Sequence, residues 1–405
     1  MIIPQVQITL GCNLACRYCF QDHDNAKIMD HLTLYNIIDK SVKYNKNIPS
    51  ADSSLEILWH GGEPLLAGLD FLKKIVEFES KYPLIKFVNK IQTNAIAMTE
   101  EIAEFLVKHD FNVGFSIDGH ETTHDHHRLL KNQKPGAFRQ TMKGVELYKK
   151  YSRSPFIPVI AVVTKHTVQK GAKEFYEFFK ELRSCIQLDP YDITCWDLAK
   201  NNLNIKNNPF IPDPQEYGNF IKDLFNLWFY DEPGNVDIRE LKNEIKLMLC
   251  PEVRMEVVEN KKRCSEFRTI FDPSGNVYSC DQYVNTETAS LGNINAEPLE
   301  IIMNRKYDLW EKIKKAFRSP ENNYLCKSCE YGKMCSGGCL TCMKYNSLIL
   351  KGYSIGNLPP VGSFDQISEN FPETGDSIYC RSYKIYRKHI EKCVNEEMTV
   401  DSEKH

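Results

Sequence analysis

Gly11-Cys12-Asn13-Leu14-Ala15-Cys16-Arg17-Tyr18-Cys19-Phe20 follows directly on a β-like run, Gln5–Leu10. Three thiols at CxxxCxxC spacing on one short loop can bind three irons of a [4Fe–4S] cube and leave the fourth iron without a protein ligand. A tetrahedral zinc site is the alternative for thiols alone. The wider cysteine usage favours metal over disulfides. The chain has 15 Cys, an odd number, grouped in CxxC-type clusters. Its first residues, Met1-Ile2-Ile3-Pro4, carry no basic n-region or small-residue cleavage site, so they read as the start of the fold rather than an export signal.

Outward from that loop, short apolar runs alternate with amphipathic ones. Strands are expected at Gln5–Leu10, Leu55–Trp59, Phe87–Thr93, Val113–Ile117, Ile157–Val163 and Cys185–Leu188. Helices are expected at Leu34–Tyr44, Phe71–Tyr82, Glu100–Lys108, Phe138–Tyr151 and Lys170–Leu182. Six strands joined by helices give a parallel α/β sheet with right-handed crossovers. Six is short of a closed eightfold barrel, so the expected fold is an open, partial (β/α)6 barrel over residues 1–190, with ligands at the carboxyl ends of its strands. Residues 191–249 read as a helical bridge, with Asp213-Pro214 opening a helix to about Tyr230 and a second helix at Ile238–Leu249. Residues 250–393 are Cys-rich, the kind of segment usually held by metal rather than a large apolar core. Within them, Leu350–Gly375 reads as a long loop, and residues 394–405 as a charged, frayed tail.

A second motif, His60-Gly61-Gly62-Glu63-Pro64, ends the second strand. Its two glycines permit close approach of backbone to a ligand. Composition excludes two classes of partner. The net charge of −3 lacks the basic excess of a nucleic-acid binder. There is no apolar run of 18 residues that would span a membrane.

With these motifs in place, residues 1–393 resemble radical S-adenosylmethionine (SAM) enzymes that carry a C-terminal SPASM domain, above all the anaerobic sulfatase maturases and related peptide-modifying enzymes. The likeness rests on Cys12, Cys16 and Cys19, on Gly61–Pro64, on Gln92-Thr93-Asn94, on Ser116-Ile117-Asp118-Gly119 and on His124–Arg128. Ala95 stands where the family has glycine. The resemblance implies that SAM chelates the open iron through its amino and carboxylate groups and is cleaved to a 5′-deoxyadenosyl radical. It implies that Gly61, Gly62 and Glu63 bind the SAM amino group, and that Asn94, Ser116, Asp118 and Arg128 surround its ribose and carboxylate.

The C-terminal cysteines match the seven-cysteine SPASM signature: Cys264, Cys280, Cys326, Cys329, Cys335, Cys339 and Cys380. This implies two auxiliary [4Fe–4S] clusters, three in all. One would take Cys264, Cys280 and Cys339 with Cys250 as fourth ligand, or keep an open iron without it. The other would take Cys326, Cys329, Cys335 and Cys380. Cys342 could compete with Cys380, and Cys185, Cys195 and Cys393 read as incidental thiols.

Asp281 matches the base that deprotonates the substrate in the maturases. Two neighbours depart from that pattern: Gln21 stands where the maturases have Tyr, and His60 where they have Gln. With Trp59 through Leu66, these departures are more similar to enzymes that cross-link ribosomally made peptides into cyclophanes. His60 would be a hydrogen-bond partner or second base. The leading expectation is therefore an intrapeptide C–C cross-link on a precursor peptide. Oxidation of a sulfatase Ser or Cys to formylglycine is the alternative. A flavodoxin or ferredoxin would supply electrons in a reducing cytoplasm. Neither end has room for the roughly 80–90 residues of a separate leader-binding domain, so the peptide would dock on the barrel and SPASM surfaces or use a separate protein.

Overall fold

The computed structural model describes residues 2–21, 23, 26–46, 54–131, 136–191, 208–250, 268–281, 284, 290–317, 329–331 and 379–403. The six expected strands form: β1 (Ile3–Thr9), β2 (Ser54–Gly61), β3 (Lys86–Thr93), β4 (Asn112–Ser116), β5 (Ile157–Val163) and β6 (Ser184–Pro190). Each is parallel to the next. Helices bridge them because their apolar residues recur at helical spacing. In α1 (His31–Lys46), Leu34, Ile37, Ile38 and Val42 are buried on one stripe. The next helices are α2 (Gly68–Glu79), α3 (Glu100–Lys108), α4 (Glu121–His127), α5 (Phe138–Lys149), α6 (Lys165–Lys170) and α7 (Ala172–Leu182).

Local chemistry sets several boundaries. The Thr99 hydroxyl accepts from Ile102 N at the start of α3, and Glu100 and Glu101 complement the helix dipole there. The expected helix Lys170–Leu182 starts later, after a break at Gly171, where φ is 93°; α6 lies before that break, opened by a capping box between Thr164 and Thr167. After the barrel strands come α8 (Pro214–Phe229), β7 (Asp237–Ile238) and α9 (Arg239–Leu249). The Asp213 side chain caps α8 by accepting from Gln215 N and Glu216 N.

The sheet has ten strands rather than six, in the order β10-β9-β8-β1-β2-β3-β4-β5-β6-β7, and its two ends do not meet. β8 (Arg268–Phe271) runs parallel to β1, while β9 (Asn276–Tyr278) and β10 (Gly292–Asn293) complete an antiparallel edge. The beginning of the Cys-rich region is thus built into the barrel sheet. Phe271, Val277, Ile294, Leu299, Ile302 and Met303 join the main core, so apolar burial supports this segment, contrary to the sequence expectation. α10 (Leu299–Phe317) follows it.

The charged C-terminus is also ordered differently from expectation. α11 (Cys380–Glu403) continues through most of the residues expected to fray. Tyr386, Ile390, Cys393 and Val394 are buried in the core. Arg387 makes a buried bidentate ion pair with Glu244 of α9, at 2.9 and 3.0 Å. The expected loop Leu350–Gly375 lies outside the described residues. Among the described residues, no helix is long and apolar enough to cross a membrane.

Candidate active site

The inner face of the open barrel lines a cavity of about 640 Å³ that runs from Ile3 and Asn112, at the amino ends of β1 and β4, to Gly61 and Ser116 at the carboxyl ends of β2 and β4. Cys12, Cys16 and Cys19 line it on the loop after β1, as do Asn94, Ser116 and Arg128. The loop is pinned by backbone: Gly62 N donates to Thr9 O at 2.8 Å and Glu63 N to Gly11 O at 2.9 Å. The two glycines therefore serve this close approach, and the Gly62 N–H is already engaged with the loop. A Cβ on Gly61 would lie 2.2 Å from Thr9 O, and one on Gly62 would lie 2.2 Å from Gly11 O. Gly62→Ala must push the cysteine loop aside. It is expected to cost about 3 kcal/mol, the upper end of ordinary overpacking. A thermal melt and visible iron–sulfur absorbance of the variant check this; a native melt with a full cluster would show that the loop can shift freely.

Glu63 holds the next layer. Its carboxylate accepts from Leu65 N (3.0 Å), the Thr93 hydroxyl (2.6 Å) and Asn94 N (2.7 Å). Burial pushes its pKa up to about 6, partly offset by these donors. Glu63 thus positions Asn94, whose amide reaches Asn13 Oδ1 at 2.7 Å and lies 3.8 Å from Cys12 Sγ. Ala95 beside it has φ 64°. That left-handed conformation is one glycine adopts freely, and it costs an alanine about 1 kcal/mol.

Asp118 departs from expectation. It is 0% exposed and stands behind Arg128 rather than in the cavity wall. Its oxygens accept two bonds from Arg128, at 2.9 and 3.0 Å, one from Val162 N at 3.1 Å and one from the Tyr18 hydroxyl. Burial alone would raise its pKa; the charge and hydrogen bonds of Arg128 outweigh that and hold it lowered and ionised. Asp118 is a positioning residue that aims Arg128 at the cavity and ties Tyr18 of the cysteine loop to β4. Ser116 does line the cavity, and its hydroxyl accepts from Gln92 Nε2 at 2.9 Å.

Pairing of β8 with β1 brings a distant residue into the same space. Asp281 lines the cavity, and Gln5 Nε2 donates to its Oδ2 at 3.1 Å. His60 lines it too, held neutral because burial lowers its pKa. Sequence reasoning missed His23, whose Nε2 lies 3.2 Å from Cys19 Sγ while Nδ1 contacts Leu10 O at 2.8 Å. It also missed Gln5. The available signal was polar alternation, Gln5 and Gln7, within an otherwise apolar strand.

The donor set suits a thiolate-held cluster. Burial pushes the Cys12 thiol up to about 12, against a hydrogen bond from Leu14 N, and raises Cys16 as well. Thiolates here need a metal to stabilise them, and N–H groups directed at Cys12 Sγ are of the kind that tune iron–sulfur clusters. Of the cysteines expected to hold auxiliary clusters, Cys250 follows α9, Cys280 precedes Asp281, and Cys380 starts α11. Cys329 is described as well, whereas Cys264, Cys326, Cys335 and Cys339 lie outside the described residues.

An open, mostly parallel α/β sheet with three thiols at its carboxyl ends beside a ligand-sized cavity defines a radical SAM core. The models of known families agree: the Radical SAM superfamily matches residues 6–178, and the SPASM iron–sulfur cluster-binding domain matches residues 264–330. A cysteine-type anaerobic sulfatase-maturating enzyme of Clostridium perfringens is 31% identical over 347 residues, covering 82% of this chain and 86% of the relative. A serine-type enzyme of Bacteroides thetaiotaomicron is 28% identical over 397 residues, covering 94% and 86%. Among solved structures, anSMEcpe with bound AdoMet and the Cp18Cys peptide superposes with a TM-score of 0.74 at 25% identity, covering 97% of this chain and 99% of that one. Streptococcus suis SuiB bound to its precursor peptide SuiA shares the fold, with a TM-score of 0.57 at 18% identity, covering 88% and 76%. The chain belongs to the radical SAM enzymes with a SPASM domain, close to the anaerobic sulfatase-maturating enzymes. SAM and iron–sulfur clusters are its cofactors.

Proposed function

We propose that this enzyme oxidises a Cys or Ser side chain of a peptide to formylglycine. The observation that carries this reading is one cavity shared by the Cys12–Cys19 loop and Asp281, a carboxylate delivered from the SPASM region by the β1–β8 pairing. The relatives support the second of the two readings drawn from the sequence, formylglycine formation. Those aligning over most of this chain are maturases, whereas the likeness to SuiB concerns the fold alone.

When bound, the cluster and SAM supply a 5′-deoxyadenosyl radical that takes a hydrogen atom from a side-chain carbon. Cys12, Cys16 and Cys19 hold that cluster. Asn94, Ser116 and Arg128 orient SAM, and Asp118 fixes Arg128. Asp281 takes the proton of the substrate thiol or hydroxyl, with Gln5 holding the carboxylate in place. Neutral His60 hydrogen-bonds the substrate or serves as a second base. The cysteine sets given above would hold two auxiliary [4Fe–4S] clusters, which would supply an acceptor for the second electron, and a flavodoxin or ferredoxin would supply the first.

The reading predicts that Asp281→Asn cleaves SAM but forms little product, by about 10²–10⁴-fold, the range of a general base. Product at the normal rate would remove Asp281 from this role. His60 and Gln21 favour a second reading, an intrapeptide C–C cross-link. Mass spectrometry of an anaerobic reaction with a Cys-containing sulfatase peptide separates the two. Formylglycine loses the Cys sulfur and gives a hydrazide-reactive aldehyde. A cross-link loses hydrogens while both side chains remain.

A further inference from the structure

The cysteine loop presents one side to solvent. Ala15 and Arg17, the neighbours of Cys16, are both exposed. Main-chain bonds tie this stretch to the end of α4 and the residues after it. Ala15 N donates to Leu129 O at 2.8 Å, Arg17 N to His127 O at 2.9 Å and Lys131 N to Asn13 O at 3.1 Å. α6 joins the same surface, because the rings of His126 and His166 stack with centroids 3.7 Å apart and planes 9° apart. Loop, α4 and α6 thus build one preformed face that includes the solvent side of the cysteine loop.

The charge on this face is one-sided. Arg17, Lys131 and Lys170 are exposed and take part in no ion pair among the described residues. Partial burial first, then His166, Arg17 and Lys170, holds His126 below its ordinary pKa, so these cations converge on it. Lys170 acts on His166 too, where the opposing acid is Glu174, which accepts from the Thr123 hydroxyl at 3.3 Å. Other cations of the fold have partners: Lys43 has Asp39, Lys180 has Asp231 and Arg305 has Glu297. In a chain of net charge −3, unmatched cations gathered in one place form a local positive field. Exposed cations are often no more than a solvated face. The place of these gives them a further use. The radical reaction begins with one electron from outside the protein, and Cys16, between Ala15 and Arg17, is assigned to the cluster that receives it. A carrier seated on this face has the least protein to cross.

We propose that Arg17, His126, Lys131 and Lys170 form the docking surface for an acidic one-electron carrier protein that reduces the N-terminal cluster. This rests on the reading above that a carrier protein supplies the first electron, and it adds where that protein binds and by what chemistry. The carrier gives up one electron and the cluster gains one; no bond forms or breaks and no proton moves. The cations draw the acidic partner in and orient it. The main-chain bonds and the histidine stack hold the face in shape before the partner arrives. Salt weakens the encounter, because these charges are exposed.

The test uses anaerobically purified holoenzyme with SAM and follows release of 5′-deoxyadenosine. Electrons come from reduced flavodoxin, from a reduced two-cluster ferredoxin, or from photoreduced deazariboflavin, an uncharged donor that needs no docking surface. The double variant Lys131→Glu/Lys170→Glu is compared with the wild type and with Lys388→Glu/Lys392→Glu, which makes the same charge change at exposed positions of α11. At least one carrier is expected to drive the wild type, more slowly as salt rises. For that carrier, Lys131→Glu/Lys170→Glu is expected to lose about tenfold or more in kcat/KM at low salt, within the range of electrostatic steering. It should also lose most of the salt dependence and bind the oxidised carrier more weakly in calorimetry. With deazariboflavin it should match the wild type, and the α11 variant should match throughout. Equal carrier kinetics in the two charge variants, a wild-type carrier rate indifferent to salt, or cleavage with deazariboflavin but with neither carrier overturns the surface. A loss that is equally large with deazariboflavin overturns it too, because the fault then lies in the loop. Peptide product under deazariboflavin is read separately, so the formylglycine reading stands or falls on its own result.

Discussion

Cys16→Ala is expected to abolish formation of 5′-deoxyadenosine from SAM. The three thiols sit on one loop at the cavity wall, and the proposal gives each of them one iron to hold. Loss of an outer-shell partner of a metal site typically costs about 10–100-fold in affinity or activity. Loss of a ligand itself is expected to exceed that, with no turnover above background and with the N-terminal cluster's iron missing from the purified protein. Cys185→Ala is the control: it removes a cavity thiol outside the loop and should leave SAM cleavage intact. Iron analysis and product chromatography on the three proteins check the pair. Normal cleavage by Cys16→Ala would separate the loop from the chemistry.

Asp118→Ala is expected to give the largest loss of stability. Arg128 is only 8% exposed and Asp118 fully buried, so removing the carboxylate strands a buried guanidinium. Breaking such a pair from one side costs about 3–5 kcal/mol. Val162 N and the Tyr18 hydroxyl lose their acceptor as well. The folded-state pKa of Asp118 lies below its unfolded value. Its contribution is therefore present above the unfolded carboxylate range and is lost as pH falls through the lowered folded value. Denaturant titration at neutral pH measures the effect, with Ser116→Ala as a neighbour expected to change little. A loss under about 1 kcal/mol, the worth of an exposed pair, would contradict the burial of this pair.

The parts of the structure that local patterns encode were legible. Six strands, their helices and the cysteine loop follow from alternation, helical spacing and thiol grouping. The β8–β1 pairing was not, because it joins residues 265 apart, Ile3 and Arg268, and no local signal records a partner that distant. α4 was missed because Glu-Thr-Thr-His-Asp-His-His carries no apolar stripe; its burial comes from histidine packing against Phe138 and Phe210. α11 was read as a tail beyond residue 393 because charge dominates there, yet Ile390 and Val394, four apart, lay one face of the helix on the core.

The site was legible to the extent that a motif names its residues. Cys12, Cys16, Cys19, Asn94, Ser116, Arg128, His60 and Asp281 do meet at one cavity. What a motif cannot convey is direction. Asp118 belongs to the same run as Ser116 but points away from the cavity to Arg128. Gly62 directs its N–H to the cysteine loop. Glu63 is a buried strut for Asn94. These roles are set by which hydrogen bonds close in three dimensions, and that depends on strands from separate parts of the chain.

The most direct measurement is made on wild-type protein purified without oxygen, reduced with dithionite and given SAM. The account predicts iron and sulfide bound to the protein, and 5′-deoxyadenosine released; replacing the Cys12–Cys19 thiols removes the N-terminal cluster's share of the iron and abolishes release of 5′-deoxyadenosine. Protein that holds zinc in place of iron on those thiols, or that holds iron yet leaves SAM intact, would contradict it.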